Sequence, residues 1–171
     1  MMHKKIALFS LLFILGVVNW SIYKKEQHIK NGAVVYLELA PVDPRSLMQG
    51  DYMALRFDMA VKFYESLPKT ENYQGWQRNA KAEDGSVVVS LDKRRVGIFS
   101  HLFTGKMLKE NELLLHYRIR NGAVKFASNA FFFEEGSAQK YEKAKYGQFR
   151  VNEKGELLLV GMANKKVKLI E

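Results

Sequence analysis

No cysteine occurs among the 171 residues, which excludes disulfide staples, thiolate nucleophiles and cysteine metal sites together. Histidine is scarce as well. Of the four histidines, His101 and His116 alone fall in strand-like segments, so the roughly three converging ligands of a zinc centre are not expected. No glycine-rich phosphate loop is present, because neither Gly97 nor Gly105 has the spacing that precedes a P-loop lysine. Ser137-Ala138-Gln139-Lys140 satisfies Ser-x-x-Lys, yet the chain lacks Ser-Asp-Asn and carries Thr104-Gly105-Lys106 in the wrong order. Ser137 reads better as a helix cap. No catalytic residue, metal or cofactor is assigned.

Acidic residues are in deficit, 18 against 27 Lys and Arg, for a formal charge of +9. The lysines are dispersed and interleaved with glutamate, without the basic stripe that nucleic-acid binding uses, so no nucleic-acid partner is expected. Attraction to anionic lipid head groups fits the leader better. What the chain does have is a folded composition, 47% apolar and 12% aromatic, enough for one compact domain.

Ile6 to Tyr23 contains no charged residue and follows the basic start Met1 to Lys5. As a helix it would be about 27 Å long, close to the roughly 30 Å of a bilayer core. The run ends in Asn-Trp-Ser-Ile-Tyr before Lys24 and Lys25, with no small-residue cleavage site, so an uncleaved anchor is predicted. Trp20, Tyr23 and the lysines suit the interface. The division is an anchor over 1–25, spanning at about 6–23, and a single domain over 26–171. The expected orientation is N-terminus inside and domain outside, in the cytoplasmic (inner) membrane.

Glu26 to Gly32 reads as a polar tether and Ala33 to Ala40 as a strand. In the stretch PVDPRSLMQGDYMALRFD (Pro41 to Asp58), Asp43 can cap a short helix with Pro44 at its first position. Arg45 to Gln49 complete that helix and Gly50 ends it. Asp51 to Asp58 then alternates, with Met53, Leu55 and Phe57 toward the core. Asp51 lies within reach of Arg45 or Arg56, as a turn clamp or a recognition surface.

Farther on, Ala60 to Leu67 suggests a helix ending before Pro68, and Lys69 to Glu83 a loop. Asp84-Gly85 suggests a turn into strand Ser86 to Leu91, and Asp92-Lys93 a hairpin into Arg94 to His101. Asn121-Gly122 suggests a hairpin between Glu112 to Arg120 and Ala123 to Phe126. Asn129 to Glu134 reads as a strand with Phe131 to Phe133 buried on both faces, and Ala138 to Tyr146 as a helix. Gln148 to Val151, Leu157 to Val160 and an edge at Val167 to Ile170 follow. An offset of 94 places Tyr36 to Asp58 on Ala130 to Asn152, with Tyr52 on Tyr146 and Arg56 on Arg150, suggesting two related half-units. The fold class is α+β, mostly antiparallel sheet with two short helices, preceded by one transmembrane helix.

The residues Gly50, Asp51, Tyr52 and Leu55, with Phe57 where the pattern has tyrosine, resemble the signature of the GDYXXLXY family of bacterial membrane-anchored proteins. Upstream Pro41, Asp43, Pro44 and Arg45, and Glu134 to Gly136 downstream, fit it too. The resemblance implies an N-terminal anchor, an extracytoplasmic domain and an integral membrane protein as partner, with no particular activity attached. Asp43, Arg45, Gly50, Asp51, Tyr52, Leu55, Arg56 and Phe57 are the candidate motif and partner-binding residues. The bilayer is a partner through the helix. A non-enzymatic accessory module is the expected function, and a small envelope enzyme or binder for a lipid or cell-wall ligand is the alternative.

Overall fold

The computed structural model describes residues 2–40, 48–49, 52–66, 82–121, 123–128 and 130–170. Its first element is α1 (Met2–Asn31), a 30-residue helix that is exposed from His3 through Glu26 and is long and apolar enough to cross a membrane. The expected tether at Glu26 to Gly32 is not a tether. Nothing between Lys24 and Asn31 breaks a helix, and Asn31 Nδ2 donates to Gln27 Oε1 at 2.9 Å one turn back. The helix stops at Gly32, whose amide still bonds the His28 carbonyl at 2.9 Å.

Among the described residues ten strands follow: β1 (Ala33–Glu38), β2 (Met48–Gln49), β3 (Tyr52–Ala54), β4 (Glu83–Leu91), β5 (Gly97–Leu102), β6 (Glu112–Arg120), β7 (Ala123–Lys125), β8 (Ala130–Phe132), β9 (Tyr146–Val151) and β10 (Leu157–Ala163). They form three sheets, ordered β1-β9-β10, β2-β3-β8 and β5-β4-β6-β7, all antiparallel. Bridges of Tyr36 to Val96 and Leu39 to Phe57 tie the sheets together, as does the His116 amide bonding the Gly155 carbonyl at 2.7 Å. Helix α2 (Met59–Ser66) covers the core with Phe63, fully buried and packed edge-on to Tyr117 at 4.6 Å between centroids. The architecture is α+β, as the hydrophobic patterning predicts.

One hydrophobic cluster draws on all three sheets, through Val35, Leu37, Phe57, Val87, Leu115 and Phe149 among others. Met53, Leu55 and Phe57 are buried as the alternation requires. The strand itself is shorter than expected: it ends at Ala54 and resumes as a single bridge at Phe57. Phe57 meets Phe149 edge-on at 5.5 Å, a geometry that adds roughly 0.5–1.5 kcal/mol to burial.

Several local expectations yield to tertiary pairing. Met48 and Gln49, expected to end a helix, pair with Met53 and Tyr52; the remainder of that helix lies outside the described residues, as do Lys69 to Lys81. Asp84-Gly85 is not a turn but lies inside β4. Tyr117 stacks over Gly85, where an added Cβ would come within 2.6 Å of its hydroxyl, so the glycine makes room for a ring. The helix expected over Ala138 to Tyr146 is one turn, α3 (Ala138–Tyr141), because Tyr146 and its successors pair with β1 and β10 on both sides. Phe132 is not doubly buried but 73% exposed, while Phe131 and Phe133 close on Tyr141 at 5.0 and 5.2 Å. The expected last strand is a single bridge from Leu169 to Ala163.

The half-unit comparison finds support in the register. Applying the offset of 94 to Tyr36↔Gln148, Leu37↔Gly147 and Glu38↔Tyr146 turns them into Ala130↔Ala54, Phe131↔Met53 and Phe132↔Tyr52. The first three pairs belong to β1 and β9, the last three to β8 and β3. The units therefore exchange strands, each first strand pairing with the other unit's last.

Three hairpin turns share one construction. Asp92, Asn152 and Asn164 each use a side-chain oxygen to accept the amides two and four residues on, at 2.7 and 2.8 Å, 3.0 and 3.0 Å, and 2.9 and 3.3 Å respectively. The fourth residue of each is left-handed: Arg95 (φ 64), Gly155 (φ 79) and Val167 (φ 59). An Asx side chain satisfies the amides that such a turn leaves open.

Burial alone would raise the Asp92 pKa, but the Val96 and Arg94 amides and the Arg94 guanidinium outweigh it and hold the carboxyl below its ordinary value. Its contribution to stability is thus complete above about pH 4 and fades as pH falls through the folded-state value. Asp92→Asn keeps the acceptor but not the charge or its pairing with Arg94, so it should be less stable than wild type at neutral pH, with the difference closing as pH falls below about 4, which melting curves across pH would reveal. In the core, Phe57→Ala should cost about 3–5 kcal/mol and Phe57→Leu much less, read from denaturant unfolding.

Candidate functional site

Of the motif residues, Asp43, Arg45, Gly50 and Asp51 lie outside the described residues, and so does the proposed Asp51 clamp. The others divide by role. Leu55 and Phe57 are 6% and 5% exposed, which makes them packing residues. Tyr52 is half-buried and faces Phe132 across the β3–β8 pair at 5.7 Å between ring centroids. Arg56 is exposed, and its carbonyl accepts the Ala40 amide at 2.8 Å.

Two places that carry no sequence motif stand out. The first is the junction of α1 with the sheet. His28 Nε2 donates to the Arg150 carbonyl at 3.0 Å, and Arg150 Nη1 donates to the Gly32 carbonyl at 3.1 Å. A Cβ on Gly32 would lie 2.6 Å from the His28 carbonyl and 3.2 Å from Arg150 Cβ, so the close approach requires glycine. The helix end and the C-terminal end of β9 are thereby fastened by two hydrogen bonds, one of them charge-assisted.

The second is a cleft of about 480 Å³ between β8 and β10, walled by Phe131, Phe132, Leu157 and Leu159 with Arg118 and Ser128 at its polar end. Its volume is in the range of ligand-holding clefts, roughly 300–1,000 Å³. Arg118 stands opposite Asp84 in register, but Asp84 is engaged by Arg120 at 2.7 Å. Arg120 holds the Asp84 carboxyl below its usual range, against a smaller opposing effect of burial and with help from the fields of Arg120, His116 and Arg118. Arg118 forms no salt bridge among the described residues. A third shifted group, besides Asp84 and Asp92, is Tyr117, whose hydroxyl is pushed up by burial and by Glu83; it belongs to the core.

Among the described residues no three His, Asp or Glu side chains converge as metal ligands would. His101 bonds Ser100 at 3.0 Å, and His116 sits on the other side of β4 from it. Ser137 precedes α3 without a side-chain capping bond. Sequence periodicity shows neither the junction nor the cleft, because both arise where separate elements meet. The offset of 94 offers the one hint, since it equates Arg56 with Arg150 and singles out an arginine on β9.

No curated protein and no solved structure matches the chain. Residues 14–162, from within α1 into β10, match the family model described as GDYXXLXY protein, and the chain belongs to that family.

Proposed function

We propose that this chain is a single-pass accessory module, anchored by α1 in the cytoplasmic membrane with residues 26–171 as one extracytoplasmic domain, that docks onto an integral membrane protein. The observation carrying this reading is the unbroken passage of α1 into the sheet. From Lys24 to Asn31 the helix advances about 12 Å, while the head-group layer of one leaflet is roughly 5–8 Å thick. A helix fastened at His28, Gly32 and Arg150 thus holds the sheet close above the lipid head groups. The excess of basic residues favours the same location over anionic lipid. A protein held at a set height meets other membrane proteins far more often than soluble ones, through effective concentration. A second reading, a small envelope enzyme or binder for a lipid or cell-wall ligand, has only the volume of the cleft in its favour.

Inserting a flexible Gly-Ser linker after Asn31 in the full-length chain tests the first reading. Crosslinking in native membranes should capture a defined integral membrane protein with wild type and markedly less of it with the linker variant, at equal expression. Equal capture by both, or capture of no membrane protein, contradicts a height-dependent dock.

A further inference from the structure

We propose that the β8–β10 cleft receives an extended segment of a partner polypeptide, with alternating apolar side chains and one acidic residue for Arg118. Both long walls are sheet edges: β8 is the last strand of β2-β3-β8 and β10 the last of β1-β9-β10. Along an antiparallel strand, successive residues turn their amide and carbonyl alternately to the two sides. The Ala130 amide and carbonyl both bond the Ser128 hydroxyl, at 3.2 and 2.6 Å, and therefore point away from β3. Phe132, two residues on, turns its backbone groups the same way. Across the cleft, β10 pairs with β9 alone from Leu157 to Val160; the bridge to Leu169 covers only its far end.

The Ala130 groups are met by Ser128, so the Phe132 groups and those on the outer side of β10 decide what occupies the cleft. An acyl chain would cover them without giving them partners, whereas an added strand satisfies them and places every second side chain against the apolar walls. Phe132, 73% exposed, provides an aromatic platform at the rim. Arg118, with no salt bridge of its own among the described residues, adds complementarity to an acidic group. A second copy offers, among its described residues, only strands already built into sheets. The cleft also sits near the anchor: Leu157 pairs with Val151 and Val151 with Ala33, next to the α1 junction. A segment leaving the bilayer beside α1 would meet it. The origin of the segment rests on the membrane-accessory reading; the chemistry of the cleft does not.

The test uses the full chain in lipid nanodiscs and a displayed library of random short peptides, selected on wild type, Arg118→Glu and Phe132→Asp. Both positions are exposed, and melting curves confirm that the variants fold. Wild type should enrich alternating apolar sequences with an acidic residue at one place. Arg118→Glu should prefer a basic residue there and bind the wild-type-selected peptides about tenfold or more weakly, and Phe132→Asp should lose both sets. Enrichment of no common sequence, or sequences indifferent to both variants, overturns the proposal. So does a co-purifying lipid whose retention depends on Arg118, or a dimer abolished by Phe132→Asp. If the peptides behave as expected but no membrane protein is captured in native membranes, the accessory reading falls and the cleft stands. If a membrane protein is captured equally by wild type and Arg118→Glu, the cleft proposal falls alone.

Discussion

The close contact of Gly32 with His28 and Arg150 is the constraint on which the arrangement of α1 and the sheet depends. A side chain at Gly32 would strike the His28 carbonyl, and without that approach the histidine could not reach the Arg150 carbonyl. The guanidinium of Arg150 returns to the Gly32 carbonyl, so one residue of β9 is held through both its backbone and its side chain. Each such bond is worth only about 0.5–3 kcal/mol. Here they act at the root of a helix about 45 Å long, where a small angular freedom would become a large displacement at its far end.

Strand β9 can serve as that root because it is central. It pairs with β1 on one side and β10 on the other, and Phe149 on it is fully buried against Phe57. The signature motif therefore acts at a distance: Leu55 and Phe57 pack the core that fixes β9, and β9 receives the helix. Exchange of strands between the two half-units places Tyr52 opposite Phe132 where the other pair has Tyr146 opposite Glu38. The same scaffold thus exposes an aromatic rim at β8 and an ion pair of Glu38 with Lys145 at β1.

What could be read from the sequence depended on whether a signal was local. The apolar run of α1, the alternation of Met53, Leu55 and Phe57, and the hairpins at Asp92 and Asn121 were legible because neighbouring residues alone determine them. Gly85 misled, since glycine that makes room for a ring looks like glycine in a turn. Ala138 to Tyr146 misled because pairing on two sides overrode a modest helical preference. The polar tether failed for the opposite reason, a helix with no signal to stop before Gly32. Neither the junction nor the cleft has a pattern in the chain, because His28 and Arg150 are 122 residues apart, and Arg118 meets β10 only through the closing of separate sheets.

Pulsed electron paramagnetic resonance on the full chain in lipid nanodiscs tests the fixed junction most directly. The absence of native cysteine allows one label at Lys24 on α1 and one at Lys165 beyond β10 without competing sites. A helix fastened to β9 gives a single narrow distance distribution that broadens in a His28→Ala, Arg150→Ala double variant. A distribution already broad in the otherwise unaltered chain would contradict the account.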